Sequence, residues 1–238
     1  MTRFIAIASG KGGAGKTTTA INLGVALSNL GLRVFVVDGN LTQPNINLYL
    51  GFPQELHGLT DVLLGNKGIK DIIYQHPSGM GVIPSNGAIC LDGDLSRGIG
   101  TAMLELVGKA DIVLIDVGAG LGNEVRSVLK SADETLIVTN PDHGAINEAI
   151  RTAAVAEEIG SVVIGIVLNK VAGNKLDIPL SRIRSATERP IISIIPEDRN
   201  VRKSLLMKSP VMCAHPDSPA AVEFKKLAEL LHNETPTP

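Results

Sequence analysis

Aromatic residues, cysteine and long apolar runs are all scarce in this chain. Aromatics make up 3% of its 238 residues and there is no tryptophan, so ring platforms for stacking single-stranded bases are not evident. The two cysteines, Cys90 and Cys213, stand far apart and form no C-x-x-C. That argues against a disulfide framework, a zinc site or a cysteine-held iron–sulfur cluster, and it suits a reducing compartment. Net charge is only −2, which removes the bulk electrostatic reason for nucleic-acid binding. No apolar stretch reaches the ~20 residues that span a bilayer. The short N-terminal run Phe4-Ile5-Ala6-Ile7-Ala8 leads into a glycine-rich stretch and does not read as a signal peptide.

Hydrophobic residues make up 44% of the chain and charged residues 19%, the balance of a globular protein. The length suits a single α/β domain over 1–238, with residues 233–238 as a frayed tail. Apolar β-branched runs without alternation recur at residues 4–8, 33–37, 111–116, 135–139, 162–168 and 190–195. Such runs suit strands covered on both faces. Helical segments separate them: 20–30, with Leu23, Ala26, Leu27 and Leu30 at i, i+3, i+4, i+7, then 99–107, 122–130, 145–159 and 219–232. Short helices are expected within 59–73, broken at Gly65 and Gly68, a short strand at 81–84 and a loop over 85–95. The alternation predicts a doubly wound, mostly parallel sheet flanked by helices.

Between the first strand and first helix lies Ser9-Gly10-Lys11-Gly12-Gly13-Ala14-Gly15-Lys16-Thr17-Thr18. Gly10 and Gly15-Lys16-Thr17 meet the spacing G-x-x-x-x-G-K-[ST]. Glycines let backbone N–H groups close around a polyphosphate, and the next helix adds its positive end. Lys16 is placed to reach the β- and γ-phosphates and the Thr17 hydroxyl to ligate Mg²⁺. Ligands in such sheets sit beyond the carboxyl ends of the strands. Asp38, Asp116 and Asn169 end three of the strands and converge there. An unpaired carboxylate at Asp116 is costly to bury, so it is read as a metal-water ligand beside Thr17, with a helix cap as the alternative.

The run G-K-G-G-x-G-K-T-T resembles the deviant Walker A motif of the MinD/ParA family of dimerising ATPases. The run Asn45-Ile46-Asn47-Leu48-Tyr49-Leu50-Gly51 after Asp38 and the direct start at the first strand resemble its MinD branch. The resemblance implies ATP and Mg²⁺ as ligands, an ATP-dependent homodimer, a regulatory protein partner, and spatial regulation of cell division. The matching early lysine is Lys11, which in the family crosses the dimer interface. It also implies that Thr18 lies near the α-phosphate and that Asn169 reads the base edge. Pro196-Glu197-Asp198 resembles the loop over base and ribose. Gly10 to Thr18 together form the implied phosphate site. Lys11, Lys16, Asp38 and Asn40 are the implied catalytic groups, and Thr17, Asp38 and Asp116 the metal-shell groups. Asn140-Pro141-Asp142 is family-like, and Glu148 is either the cis holder of Lys11 or a solvated helix position.

The sequence departs from the family pattern twice at the switches. Asn40 stands where the family has a second aspartate, and Gly118 where it has proline. An asparagine can bond a water but cannot take its proton, so slow or partner-stimulated hydrolysis is expected. A ParA-like DNA-partition ATPase is the alternative; it requires a basic face, for which Arg182, Arg184 and Arg189, or Arg199, Arg202 and Lys203, are candidates. A nucleotide-dependent adaptor that scarcely hydrolyses is a further alternative. Family members carry a C-terminal amphipathic membrane helix, whereas residues 233–238 contain two prolines and a glutamate. The expected location is the cytoplasm, with peripheral membrane attachment left open.

Overall fold

The computed structural model describes residues 1–53, 56–87 and 98–233. Cys90, residues 88–95 of the expected loop and the tail beyond Asn233 lie outside the described residues. In chain order the elements are β1 (Arg3–Ala8), α1 (Lys16–Asn29), β2 (Val34–Asp38), α2 (Ile46–Leu50) and α3 (Leu59–Leu63). A 3₁₀ turn follows at Ile69–Ile72, then β3 (Tyr74–Gln75), β4 (Gly81–Ile83), α4 (Ile99–Leu104), β5 (Ile112–Asp116) and α5 (Asn123–Lys130). The second half has β6 (Glu134–Thr139), α6 (His143–Glu158), β7 (Val162–Val171), α7 (Leu180–Thr187) and β8 (Ile191–Pro196). It closes with α8 (Arg199–Leu206), α9 (Val211–Ala214) and α10 (Pro219–Asn233).

The eight strands form one sheet in the order β3-β4-β2-β5-β1-β6-β7-β8. Every pairing is parallel except β3 with β4. Alternate side chains of each strand feed opposite faces. Ile5, Ile7, Leu114 and Leu136 pack under α1 and α10 with Leu23, Leu27 and Phe224. Phe4, Ala6, Ile115 and Ile137 pack under α4, α5 and α6 with Met103, Val128 and Ala149. This explains the unalternating apolar runs, because neither face meets water. Phe224 is fully buried, so Phe224→Ala costs about 3–5 kcal/mol. Gly24 permits the close approach of α1 to the sheet: a Cβ there would lie 2.5 Å from Met80 Sδ and 2.6 Å from Val36 Cγ2.

The chain leaves β1 through α1 on one face to reach β2, and leaves β5 through α5 on the other face to reach β6. That divergence opens a crevice at the carboxyl ends of the central strands. Several boundaries differ from expectation. The first helix starts at Lys16 rather than at residue 20, because Gly15 takes a left-handed φ of 105° and the last loop residues become its first turn. β7 runs through Asn169 to Val171. The helices α7 and α8 were not legible as helices, being short and rich in charge. In α10, Phe224, Leu227 and Leu231 are buried against the sheet, while Val222 and Leu230 are exposed. The Ser218 hydroxyl accepts from the Ala221 N–H at 3.3 Å and caps this helix. Among the described residues, no helix is long and apolar enough to cross a membrane.

Candidate functional site

A cavity of about 840 Å³ opens at the crevice. Its floor is the loop between β1 and α1. Gly12, Gly13, Gly15, Lys16, Thr17 and Thr18 line it. The other predicted loop residues do not face it. Gly10 packs on α6, where a Cβ would lie 2.7 Å from Glu148 Oε2 and 3.0 Å from Thr152 Oγ1. Ala14 is buried. Its carbonyl accepts from Asn169 Nδ2 at 2.8 Å and from Asn140 Nδ2 at 3.3 Å. Lys170 Nζ donates to the Gly13 carbonyl at 2.7 Å. With these carbonyls tied to the end of β7, the loop's back is fixed. Gly15 is required at its place, since a Cβ there would lie 2.1 Å from Asn169 Nδ2.

Beneath the loop two carboxylates sit side by side. Asp38 and Asp116 are register partners at the ends of β2 and β5, and are 0% and 3% exposed. Asp38 accepts backbone N–H bonds from Asn45 (2.9 Å), Ile46 (3.0 Å) and Asn40 (3.2 Å). Burial, with the Asp116 charge adding to it, pushes Asp38 up to about 8 against those bonds. Burial pushes Asp116 up to about 6, opposed by the Thr17 bond and the Lys16 charge. Two negative charges do not coexist cheaply here, so both carboxyls hold a proton more tightly than a free carboxylate does. Thr17 Oγ1 donates to Asp116 Oδ2 at 2.5 Å, while Asp116 Oδ1 is buried with no partner among the described residues. An orphaned buried carboxylate oxygen, with a threonine hydroxyl on its sister oxygen, fits a hard divalent cation. Lys16 is 8% exposed, and burial lowers its ammonium below the usual lysine value, with Asp116 opposing.

The remaining predicted residues form the walls. Asn40 lines the cavity, but its side chain is closed on its own loop. Its Nδ2 donates to the Gln43 carbonyl at 2.6 Å, and its Oδ1 accepts from the Gln43 N–H at 3.0 Å. Gly118 lines the wall beside it, where a Cβ would lie 3.4 Å from Asn40 Oδ1. Pro196, Glu197 and Asp198 line the far end with Asn169. Asp198 caps α8 by accepting from the Asn200 N–H at 2.8 Å, and also accepts from Ala220 N–H at 3.2 Å. Those bonds fix the loop against α10.

Lys11 is not among the residues that line the cavity. Its ammonium donates to Asp142 Oδ2 at 2.8 Å. The expected alternative, Glu148 as holder, is corrected: Glu148 pairs with Arg151 at 3.0 Å, one helical turn along. Asp142 wins because it is the N-cap of α6, where its other oxygen accepts from the Ala145 N–H at 2.9 Å. Glu124, which the sequence did not single out, lines the cavity, as do Tyr49, named there only within the run after Asp38, and Arg202, named only for a basic face. Of the two basic clusters, Arg189 is taken up by Glu157 at 2.6 Å.

A glycine loop between the first strand and first helix of a parallel sheet, with a carboxylate at a neighbouring strand end, defines a P-loop nucleoside-triphosphatase scaffold. The chain belongs to the ParA family, described as NUBPL iron-transfer P-loop NTPase, whose profile matches residues 1–232. It is 37% identical over 232 residues to an ATP-binding protein of Methanocaldococcus jannaschii, covering 95% of this chain and 86% of that one. Among solved structures, it resembles the cell division ATPase MinD of Pyrococcus furiosus. The TM-score is 0.90 and identity 35%, over 98% of this chain and 100% of that one. The septum site-determining protein MinD of Pyrococcus horikoshii, complexed with Mg-ADP, matches with a TM-score of 0.89 and 34% identity. That match covers 97% of this chain and 96% of the other.

Proposed function

We propose that residues 1–238 act as one unit, a switch that binds Mg·ATP in the cavity, dimerises around it and comes apart on hydrolysis. The observation that carries this is the buried floor: Asp116 Oδ1 without a partner among the described residues, Thr17 on the other oxygen, and Lys16 beside them. Thr17 and Asp116 would hold Mg²⁺, with Asp38 behind them. When bound, that ion would supply neutralisation of the phosphate charge. The chain's own groups do the rest. The amides of Gly13 to Thr18 bind and orient the phosphates, and Lys16 offsets their charge. Asn169 and Pro196 to Asp198 hold the base and ribose.

Lys11 is the residue we assign to the dimer contact, released from Asp142 when a second copy presents a phosphate. The pair is roughly half exposed and its net worth is below about 1 kcal/mol, so the exchange is readily driven. The Pyrococcus relatives are MinD proteins, and spatial regulation of cell division is the biological role we infer, at the membrane or with a regulatory partner. A slowly hydrolysing adaptor is the second reading, because the Asn40 side chain is engaged by Gln43.

Size-exclusion chromatography with light scattering, run with ATP, with ADP and without nucleotide, tests the switch. A mass doubling with ATP alone, lost in Lys11→Ala, supports it. A mass independent of nucleotide overturns it.

A further inference from the structure

Two loops face each other across the phosphate end of the cavity. One runs from Gly39 to Asn45 after β2, the other from Val117 to Gly122 after β5. Their roots are joined by backbone: the Gly39 N–H donates to the Asp116 carbonyl at 2.9 Å. Asp38 holds both ends of the first loop through Asn40 and Asn45. The clasp between Asn40 and Gln43 closes its tip on itself. None of these bonds ties the tip to the second loop's helix.

Glu124 does. It sits in the first turn of α5, directly after the second loop. Its Oε1 accepts from the Leu41 N–H at 2.6 Å and from the Thr42 N–H at 3.3 Å. Its Oε2 accepts from the Thr42 hydroxyl at 2.5 Å. Hydrogen bonds to an ionised acceptor are stronger than neutral ones. Leu41 is buried in the core cluster that also holds Val117 and Val125, while Thr42 is exposed, so packing seats the root of the tip and the carboxylate fixes its exposed end.

We propose that Glu124 is a positioning residue that locks the first loop to the second, so that displacement of either moves both. This rests on the Mg·ATP reading for its consequence. Residues of both loops, Asn40, Thr42, Gly118 and Ala119, line the cavity beside the glycine loop; on that reading a third phosphate would extend toward them beyond the two that ADP shares, so the clamp contributes to preference for ATP over ADP. It does not contribute to grip on the shared α- and β-phosphates.

The test uses the full chain, with Glu124→Gln as the isosteric variant and Thr42→Val as a milder one that deletes only the hydroxyl. Without nucleotide, amide exchange at Leu41 and Thr42 is expected to rise roughly tenfold or more in Glu124→Gln. The rise is smaller in Thr42→Val. With nucleotide, the ratio of ADP to ATP dissociation constants falls by about tenfold in Glu124→Gln, while the constant for Mg·ADP stays within about twofold. Exchange unchanged in both variants overturns the clamp. Equal weakening of ATP and ADP overturns the positioning role and leaves a merely structural one. If the wild type binds neither nucleotide, the function proposed above fails, and the nucleotide-free exchange arm still decides the clamp.

Discussion

Replacing Asp116 by asparagine separates the cost of the buried carboxylates from their use. The raise from 3.8 to about 6 corresponds to about 3 kcal/mol, at 1.36 kcal/mol for each tenfold change in proton affinity. A carboxyl whose folded pKa lies above its unfolded value binds the extra proton in the folded state. It therefore costs no stability below about pH 3.8, costs more as pH rises toward about 6, and costs a constant amount above that. The substituted amide would carry no charge at any pH. Its oxygen can still accept from Thr17, and its NH₂ needs partners that the carboxylate did not, which offsets part of the gain. The net expectation is a stabilisation of about 1–2 kcal/mol at pH 7.5, or roughly 3–6 °C in Tm for a chain of this size. At pH 4.5 the gain falls to well under about 1 kcal/mol. Scanning calorimetry at both pH values, without nucleotide, measures it. Adding Mg·ATP should raise the wild-type Tm by mass action and the variant's far less. A variant that melts lower at pH 7.5, or gains equally at both pH values, refutes the reasoning.

The remaining predictions concern the loop, its neighbour and the surface. Gly15→Ala places a Cβ on Asn169 and a non-glycine at a left-handed φ, which costs roughly 1–3 kcal/mol. Nucleotide affinity should drop by at least about tenfold, and an unchanged dissociation constant contradicts the site. Asn40→Asp replaces the Nδ2 donor with an anion facing the Gln43 carbonyl, costing about 1 kcal/mol. The freed carboxylate should raise the single-turnover ATPase rate, and an equal or lower rate counts against that role. Anionic liposomes should retain little protein with ATP, because Phe224, Leu227 and Leu231 are already packed into the core; high-yield cosedimentation overturns this.

What was legible in the sequence was what the backbone alone decides. The loop from Ser9 to Thr18, and the strand ends at Asp38 and Asp116, carry local signals: glycines at fixed spacing and a charge closing an apolar run. The sheet followed from those runs, each buried on both faces. What stayed hidden depends on partners distant in sequence. Glu124 bonds Leu41 across 83 positions, and Lys11 meets Asp142 across 131; no local pattern marks either pair. α7 shows little periodicity, since Ile183 and Thr187 are its buried residues. Asn169 was expected at a strand end, yet β7 continues because Val171 still pairs with Pro196. Its Nδ2 is engaged by the Ala14 carbonyl, which gives it a scaffolding task that the sequence did not disclose.

Isothermal titration of Mg·ATP into the wild-type chain, beside Lys16→Ala, tests the central claim most directly. A saturable heat at one site per chain, lost in the variant, is the expected result. No heat with the wild type, or the same heat with Lys16→Ala, contradicts it.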